Sequence, residues 1–247
     1  MSFTIACRNV KFNNVTAVIF DKDGTLENSL AYWREIGTER VRLIDAQIPG
    51  VGEPLMMAFG IVDNVLDPQG LLAVGSRQEN EIAAAAYIAE TGRSWHESRK
   101  IAELAFSEIE QSKYLIKTLK SASLFADVED ILKSLSSKGL KIGILSADST
   151  KAVSDFVDNH KLQDYIHLCM GTDNKVITKP DPKFFWQACK SLGVSPEETL
   201  MVGDSLGDMM MAKAGEAAGA IGICRYHNSP LQSADIQIDT LLEIQAL

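Results

Sequence analysis

Apolar positions along this chain follow two different rhythms. Thr16-Ala-Val-Ile-Phe20 is a short unbroken apolar run rich in β-branched and aromatic residues, the pattern of a strand buried on both faces. From about Asn28 to Lys120 the spacing turns helical. It predicts helices over Leu30–Ala46, closed by Pro49-Gly50, over Glu53–Val65, closed near Asp67-Pro68, and over Gln78–Glu90, stopped by Thr91-Gly92. A further helix begins at Ser94, with Glu97 three residues on to complete a capping box, and runs to about Leu119. After Ala122 helix and strand alternate. Helices are expected at Asp127–Ser137, Lys151–His160, Pro182–Leu192 and Leu206–Ala214. Strands are expected at Lys141–Leu145, Tyr165–Met170, Thr199–Val202, Ala220–Cys224 and Ile236–Ile238.

Alternation of this kind builds a parallel sheet with right-handed crossovers. One strand precedes the helical block and the rest follow it, so the block reads as an insertion. The expected fold class is α/β: a three-layer Rossmann-like core with a mainly parallel sheet and an inserted all-helical cap. Residues 1–26 and 121–247 form the core, and 27–120 form the cap. Met209-Met210-Met211 reads as core filling on a helix.

Composition narrows the function. An apolar fraction of 46% and a charged fraction of 23% describe an ordinary globular chain. The net charge of −9 argues against nucleic acid as the main partner. No basic helix suggests a membrane surface, and no apolar run has spanning length. Cys7, Cys169, Cys189 and Cys224 lack metal-ligand spacing and read as free thiols. Cytoplasmic residence is the expectation; oligomeric state is not legible.

The chemistry lies where apolar strands end. Asp21-Lys22-Asp23-Gly24-Thr25 follows the first strand. Its acids sit at the carboxyl edge of a parallel sheet, where open α/β folds bind ligands. Gly24 permits a sharp turn that would let both acids reach one crevice. Acids held that close imply a metal, a shared proton, or both. Ser146, Lys179 and the pair Asp204/Asp208 follow later strands or lie in nearby loops, and strand-end loops share one rim. Carboxylates, a hydroxyl and a cation together suit metal-assisted phosphoryl transfer.

Asp21-x-Asp23-Gly24-Thr25, Ser146 after an apolar strand, Lys179-Pro180 and Gly203-Asp204-x-x-x-Asp208 resemble, in order, the four signature motifs of the haloacid dehalogenase-like (HAD) hydrolase superfamily. The spacing is similar to its phosphoglycolate phosphatase-like branch, which carries a helical cap after the first motif. The resemblance spans about residues 16 to 224. It implies Mg²⁺-dependent hydrolysis of a small-molecule phosphate monoester, with Asp21 as the nucleophile that becomes an aspartyl-phosphate and Asp23 as general acid and base. It also implies that Asp21, the Asp23 backbone carbonyl and Asp204 hold Mg²⁺. Ser146 and Lys179 would bind the phosphoryl group, and Asp208 would anchor Lys179 or a metal-bound water.

Two alternatives share these residues. One is a mutase moving phosphate within a sugar phosphate: Val74-Gly75-Ser76-Arg77 resembles the specificity loop of that branch, so Arg77 would bind a second anionic group of the substrate. Thr25 weighs the other way, because the mutase branch more often has valine there. The other alternative is a non-enzymatic metal- or phosphate-binding regulator, against which the complete acid–base pair argues. Two positions depart from the phosphatase pattern. Lys22 stands where many relatives carry an apolar residue, and its side chain is expected to point at the cap and add a cation near the substrate. Ala147 stands where many have asparagine.

Overall fold

Side chains on a strand alternate between faces, so a strand covered on both sides must be apolar throughout. In the computed structural model, which describes residues 2–112, 122–173, 177–226 and 230–247, β3 (Ala17–Phe20) is such a strand, with all four residues buried. It lies inside a six-stranded sheet with β8 (Lys141–Leu145), β9 (Leu168–Met170), β10 (Thr199–Gly203), β11 (Gly219–Ile223) and β12 (Ile236–Ile238). Their spatial order is β12-β11-β10-β3-β8-β9, and every pairing is parallel.

Val18 and Phe20 point to one face. There, with Ile142, Ile144, Leu200 and Val202, they pack on Val128, Ile131 and Leu135 of the helix Val128–Ser137 and on Val153 and Phe156 of the helix Thr150–Asn159. Ala17 and Ile19 point the other way, into Phe184, Phe185, Met209 and Met211 of the helices Pro182–Leu192 and Leu206–Ala214. Helix, sheet, helix is the expected three-layer core. Met210, between its two buried neighbours, is 46% exposed, so two of the three consecutive methionines fill the core.

The chain steps from β3 to β8 and β9 on one side, then returns across β3 to β10 and on to β11 and β12. Strand order therefore reverses between β3 and β10. A crevice opens there at the carboxyl ends, because successive connections leave in opposite directions.

Several strands lie outside the expectation, three of them in one sheet. β1 (Phe3–Cys7), β2 (Val10–Val15) and β13 (Ile244–Ala246) form a small antiparallel sheet in the order β13-β1-β2. It buries Ile5, Cys7, Phe12, Val15 and Ile244 against the core. Each strand is short, and β2 mixes lysine and asparagines among its apolar positions, which blunts its alternation.

The chain divides into two compact units, residues 1–27 with 124–247, and residues 28–123. The sequence reading set the edges at 26/27 and 120/121; residues 113–121, with the second edge and the end of the helix expected to reach Leu119, lie outside the described residues. Two short strands, β4 (Glu27–Asn28) and β7 (Ser123–Leu124), form a two-stranded sheet.

The inserted unit holds helices Leu30–Gln47, Gly52–Ala58, Leu71–Val74, Arg77–Glu90 and Trp95–Gln111 around a core that includes Ile44, Leu55, Phe59, Ile88 and Phe106. The helix expected over Glu53–Val65 ends at Ala58. Gly60 turns the backbone at φ +82°, and β5 (Ile61–Val62) then pairs antiparallel with β6 (Val65–Leu66). Asp63 and Asn64 both take positive φ, as a tight two-residue hairpin requires. Among its described residues the unit is helical apart from this hairpin and the strand residues Asn28 and Ser123 at its two ends. Among the described residues no helix is long and apolar enough to cross a membrane.

Candidate active site

The residues one step past β3 and β10 meet at the reversal point. Phe20 pairs with Val202 on one side and Ile144 on the other, so the backbone at Asp21 runs beside Gly203 and Leu145. The Asp21 amide donates to the Val202 carbonyl at 2.8 Å. Carboxylate oxygens of Asp21, Asp204 and Asp208 all lie within 4.8 Å of one another. Asp21 is 6% exposed and Asp208 fully buried.

Lys179 enters this cluster from the loop after β9. Its ammonium pairs with Asp21 Oδ1 and, at 2.7 Å, with Asp208 Oδ1. The second oxygen of Asp208 accepts from Ser205 Oγ at 2.6 Å, while the Asp208 amide donates to that hydroxyl at 3.2 Å. Ser205 and Asp208 thus form a capping box on the helix Leu206–Ala214. Asp208 thus meets Lys179 through one oxygen and Ser205 through the other.

Two glycines make the close approach possible. Gly24 sits at φ +73°, and a β-carbon there would lie 1.9 Å from Asp204 Oδ2. A β-carbon on Gly203 would lie 2.5 Å from the Asp208 carboxyl carbon. The Asp204 carboxylate therefore packs on the bare backbone of the Asp21 loop.

Burial of so much like charge shifts the titrations. Asp21 is pushed up to about 7, first by burial and then by Asp208 and Asp23, with Lys179 opposing. Asp204 is raised well above the carboxylate range by burial and by Asp21 and Asp208. Lys179 moves upward: burial would lower it, but Asp208 and Asp21 together outweigh that. Among the described residues Asp204 forms no ion pair of its own. An all-oxygen donor set with uncompensated buried charge suits a hard divalent cation. Asp21, Asp204 and Asp208 each offer an oxygen that could hold one, and both oxygens of Asp208 are also engaged by Lys179 and Ser205.

Asp23 is gripped elsewhere. Its Oδ2 lies 2.7 Å from Lys22 Nζ, which also reaches Glu27 Oε2 at 3.2 Å and Asp148 Oδ2 at 3.8 Å. Lys22 is 4% exposed and lies within the core unit, with Phe156 beneath it at 6.0 Å. The expectation that it would reach toward the cap as a substrate cation is corrected: a fully buried ammonium settles where carboxylates offset its desolvation. Asp21 and Asp23 thus belong to two lysine-centred clusters.

Ser146 follows β8, is 1% exposed, and accepts at Oγ from the Asp148 amide at 3.1 Å. Thr25 is fully buried, and its carbonyl accepts from Arg225 Nη2 at 3.1 Å. Arg225 also makes a bidentate pair with Asp127 at 2.7 and 2.9 Å. Arg77 lies in the inserted unit, on Glu81 at 2.8 Å, Glu110 at 2.7 Å and Ser107 at 3.2 Å. Its guanidinium is matched by carboxylates of its own unit.

Sequence reasoning missed Ser205 and Arg225. Ser205-x-x-Asp208 carries a readable capping signal four residues long. Arg225 carries none, because its partner Asp127 is 98 residues away.

The model of a hydrolase family, haloacid dehalogenase-like hydrolase, matches residues 15–216. A phosphoglycolate phosphatase of Yersinia pestis is 30% identical over 209 residues, covering 83% of this chain and 79% of the relative. Among solved structures, a HAD phosphatase from Thermococcus onnurineus aligns with a TM-score of 0.61 at 22% identity, over 93% of this chain and 95% of its own. The β-phosphoglucomutase of Clostridium difficile aligns at 0.66 and 18% identity, over 92% of each chain. These two likenesses speak to the fold.

Proposed function

The chain belongs to the haloacid dehalogenase-like hydrolases, as a phosphatase of phosphate monoesters, and we propose that it works on small-molecule esters through Asp21. The observation that carries this reading is the Asp21 carboxylate at the strand reversal, paired to Lys179 and within 4.8 Å of Asp204 and Asp208. A nucleophile, a charge-neutralising cation and a metal-ready carboxylate then share one crevice.

A carboxylate oxygen of Asp21 attacks phosphorus as the bond to the leaving oxygen breaks, and Asp23 gives that oxygen its proton. A water then attacks the aspartyl-phosphate, Asp23 takes the water's proton, and inorganic phosphate leaves with Asp21 restored. Lys179 offsets charge on the nucleophile and on the phosphoryl oxygens. Ser146 Oγ accepts from a backbone amide, so its own O–H can donate to a phosphoryl oxygen. Asp21, Asp204 and the Asp23 backbone carbonyl would hold Mg²⁺, which when bound offsets the charge of the carboxylates and of the transferring group.

The relative's name makes phosphoglycolate the first ester to try. Phosphate release from it and from p-nitrophenyl phosphate, with Mg²⁺ and with EDTA, tests the reading. Release should require Mg²⁺ and should fall by at least about 10⁴-fold in Asp21→Asn. Release that persists in that variant removes Asp21 as nucleophile. Intramolecular transfer within a sugar phosphate shares this core, but the arginine that favoured it, Arg77, is paired to Glu81 and Glu110. Isomerised sugar phosphate without free phosphate would restore that alternative.

A further inference from the structure

A lysine buried to 4% exposure needs a reason, because an apolar side chain of similar volume packs there without desolvating a charge. Lys22 faces Asp23 at 2.7 Å, Glu27 at 3.2 Å and Asp148 at 3.8 Å, and Glu27 in turn faces His160 at 3.6 Å. The backbone around it is already closed. The Leu26 and Glu27 amides donate to the Lys22 carbonyl at 2.9 Å, and the Gly24 amide donates to the Glu27 carbonyl at 2.9 Å. The side chain of Lys22 therefore adds nothing the turn lacks in shape.

What it adds is a fixed point for the Asp23 carboxylate, and that point is anchored twice. Glu27 ends the same turn, and Asp148 belongs to the loop whose amide meets Ser146 Oγ. The ammonium so links the acid–base side chain to the phosphate-binding loop of the neighbouring strand. Proton transfer tolerates little angular error, and a long-lived carboxylate orientation is what a buried, multiply held ammonium supplies.

We propose that Lys22 is a positioning residue: it holds the Asp23 carboxylate in the orientation from which a proton passes to the leaving group. The proposal rests on the reading of Asp23 as the general acid, and the test separates the two. Rapid-quench measurement of enzyme phosphorylation, on the full chain with Mg²⁺, would compare an alkyl ester (phosphoglycolate or a glycerol phosphate) with p-nitrophenyl phosphate. The alkoxide needs a proton to leave; nitrophenolate does not.

Lys22→Met should slow phosphorylation by the alkyl ester about 10–100-fold and by the nitrophenyl ester less than about threefold, with Lys22→Arg recovering most of the loss. Equal slowing of both esters, or slowing of neither, overturns the proposal. Asp23→Asn is measured beside it. If Asp23→Asn also slows both esters equally, the acid–base reading itself has failed. If Asp23→Asn is selective and Lys22→Met is not, only the positioning role falls. Should Lys22→Met fail to fold, Glu27→Gln, which removes one anchor of the ammonium, carries the same test: selective slowing of the alkyl ester supports the proposal, and equal or absent slowing overturns it.

Discussion

Gly24 shows how one backbone position can govern charge placement. Its φ of +73° disfavours any side chain, and the 1.9 Å approach of Asp204 Oδ2 leaves no volume for one. Gly24→Ala should lose about 1–3 kcal/mol of stability from the backbone alone. Displacing Asp204 should also raise the Mg²⁺ concentration for half-maximal activity about 10–100-fold, as loss of support for a metal ligand does. Denaturant unfolding and a Mg²⁺ titration of turnover would check both. An unchanged Mg²⁺ requirement would show that Asp204 holds no metal. Asp21, Asp23, Ser146, Lys179, Asp204 and Asp208 stood out in the sequence because each follows a strand, opens a helix or lies in a nearby loop, and the structure brings Asp21, Asp204, Asp208 and Lys179 together. The destination of each charge was not. Asp21 and Asp23 are neighbours in the chain yet lie on different lysines, Lys179 and Lys22.

Helix starts carry the next lesson. Ser76 with Glu79 and Ser205 with Asp208 both form complete capping boxes, whereas Ser94 accepts only from the Glu97 amide. Removing either serine of the complete boxes should cost about 1 kcal/mol. Their effects on catalysis should differ. Ser205→Ala frees the Asp208 carboxylate that holds Lys179, so turnover should fall about tenfold or more. Ser76→Ala touches only a helix of the inserted unit and should leave turnover within about twofold. Thermal melts and steady-state rates of the two variants distinguish a cap that only ends a helix from one that also orders a site. The helix starts were readable because a cap spans four residues. The hairpin Ile61–Leu66 was not, since its two-residue strands present no period to read.

Asp127 and Arg225 join distant parts of the core unit. Asp127 accepts from Arg225, from Thr240 Oγ1 at 2.6 Å and from the Leu241 amide at 2.8 Å, and Arg225 lies 4.1 Å over the Phe125 ring. Arg225 then reaches the Thr25 carbonyl in the loop that follows Asp21. Burial opposes the charge on Asp127, but its hydrogen bonds to Arg225, Thr240 and Leu241 hold its pKa below the ordinary value. A carboxylate depressed in the folded state stabilises above its unfolded value, near about 4, and loses that stabilisation as pH falls through the folded value. Asp127→Asn should therefore destabilise by on the order of 3 kcal/mol at neutral pH, with the gap to the parent protein closing in acid. Chemical denaturation from neutral pH downward tests this; a gap constant with pH would mean that the charge contributes nothing.

The strand and helix order of the parallel core could be read from the chain because each element is written within a few consecutive residues. Apolar runs, caps and turn glycines act on their near neighbours, and a parallel sheet brings its strand ends to one edge whatever lies between them. Folding in three dimensions settled the rest: the β13-β1-β2 sheet, the Arg225–Asp127 clamp, and the partition of five carboxylates between two buried lysines. Coulomb energy depends on separation in space, and a string of residues does not specify which distant charges will share a crevice.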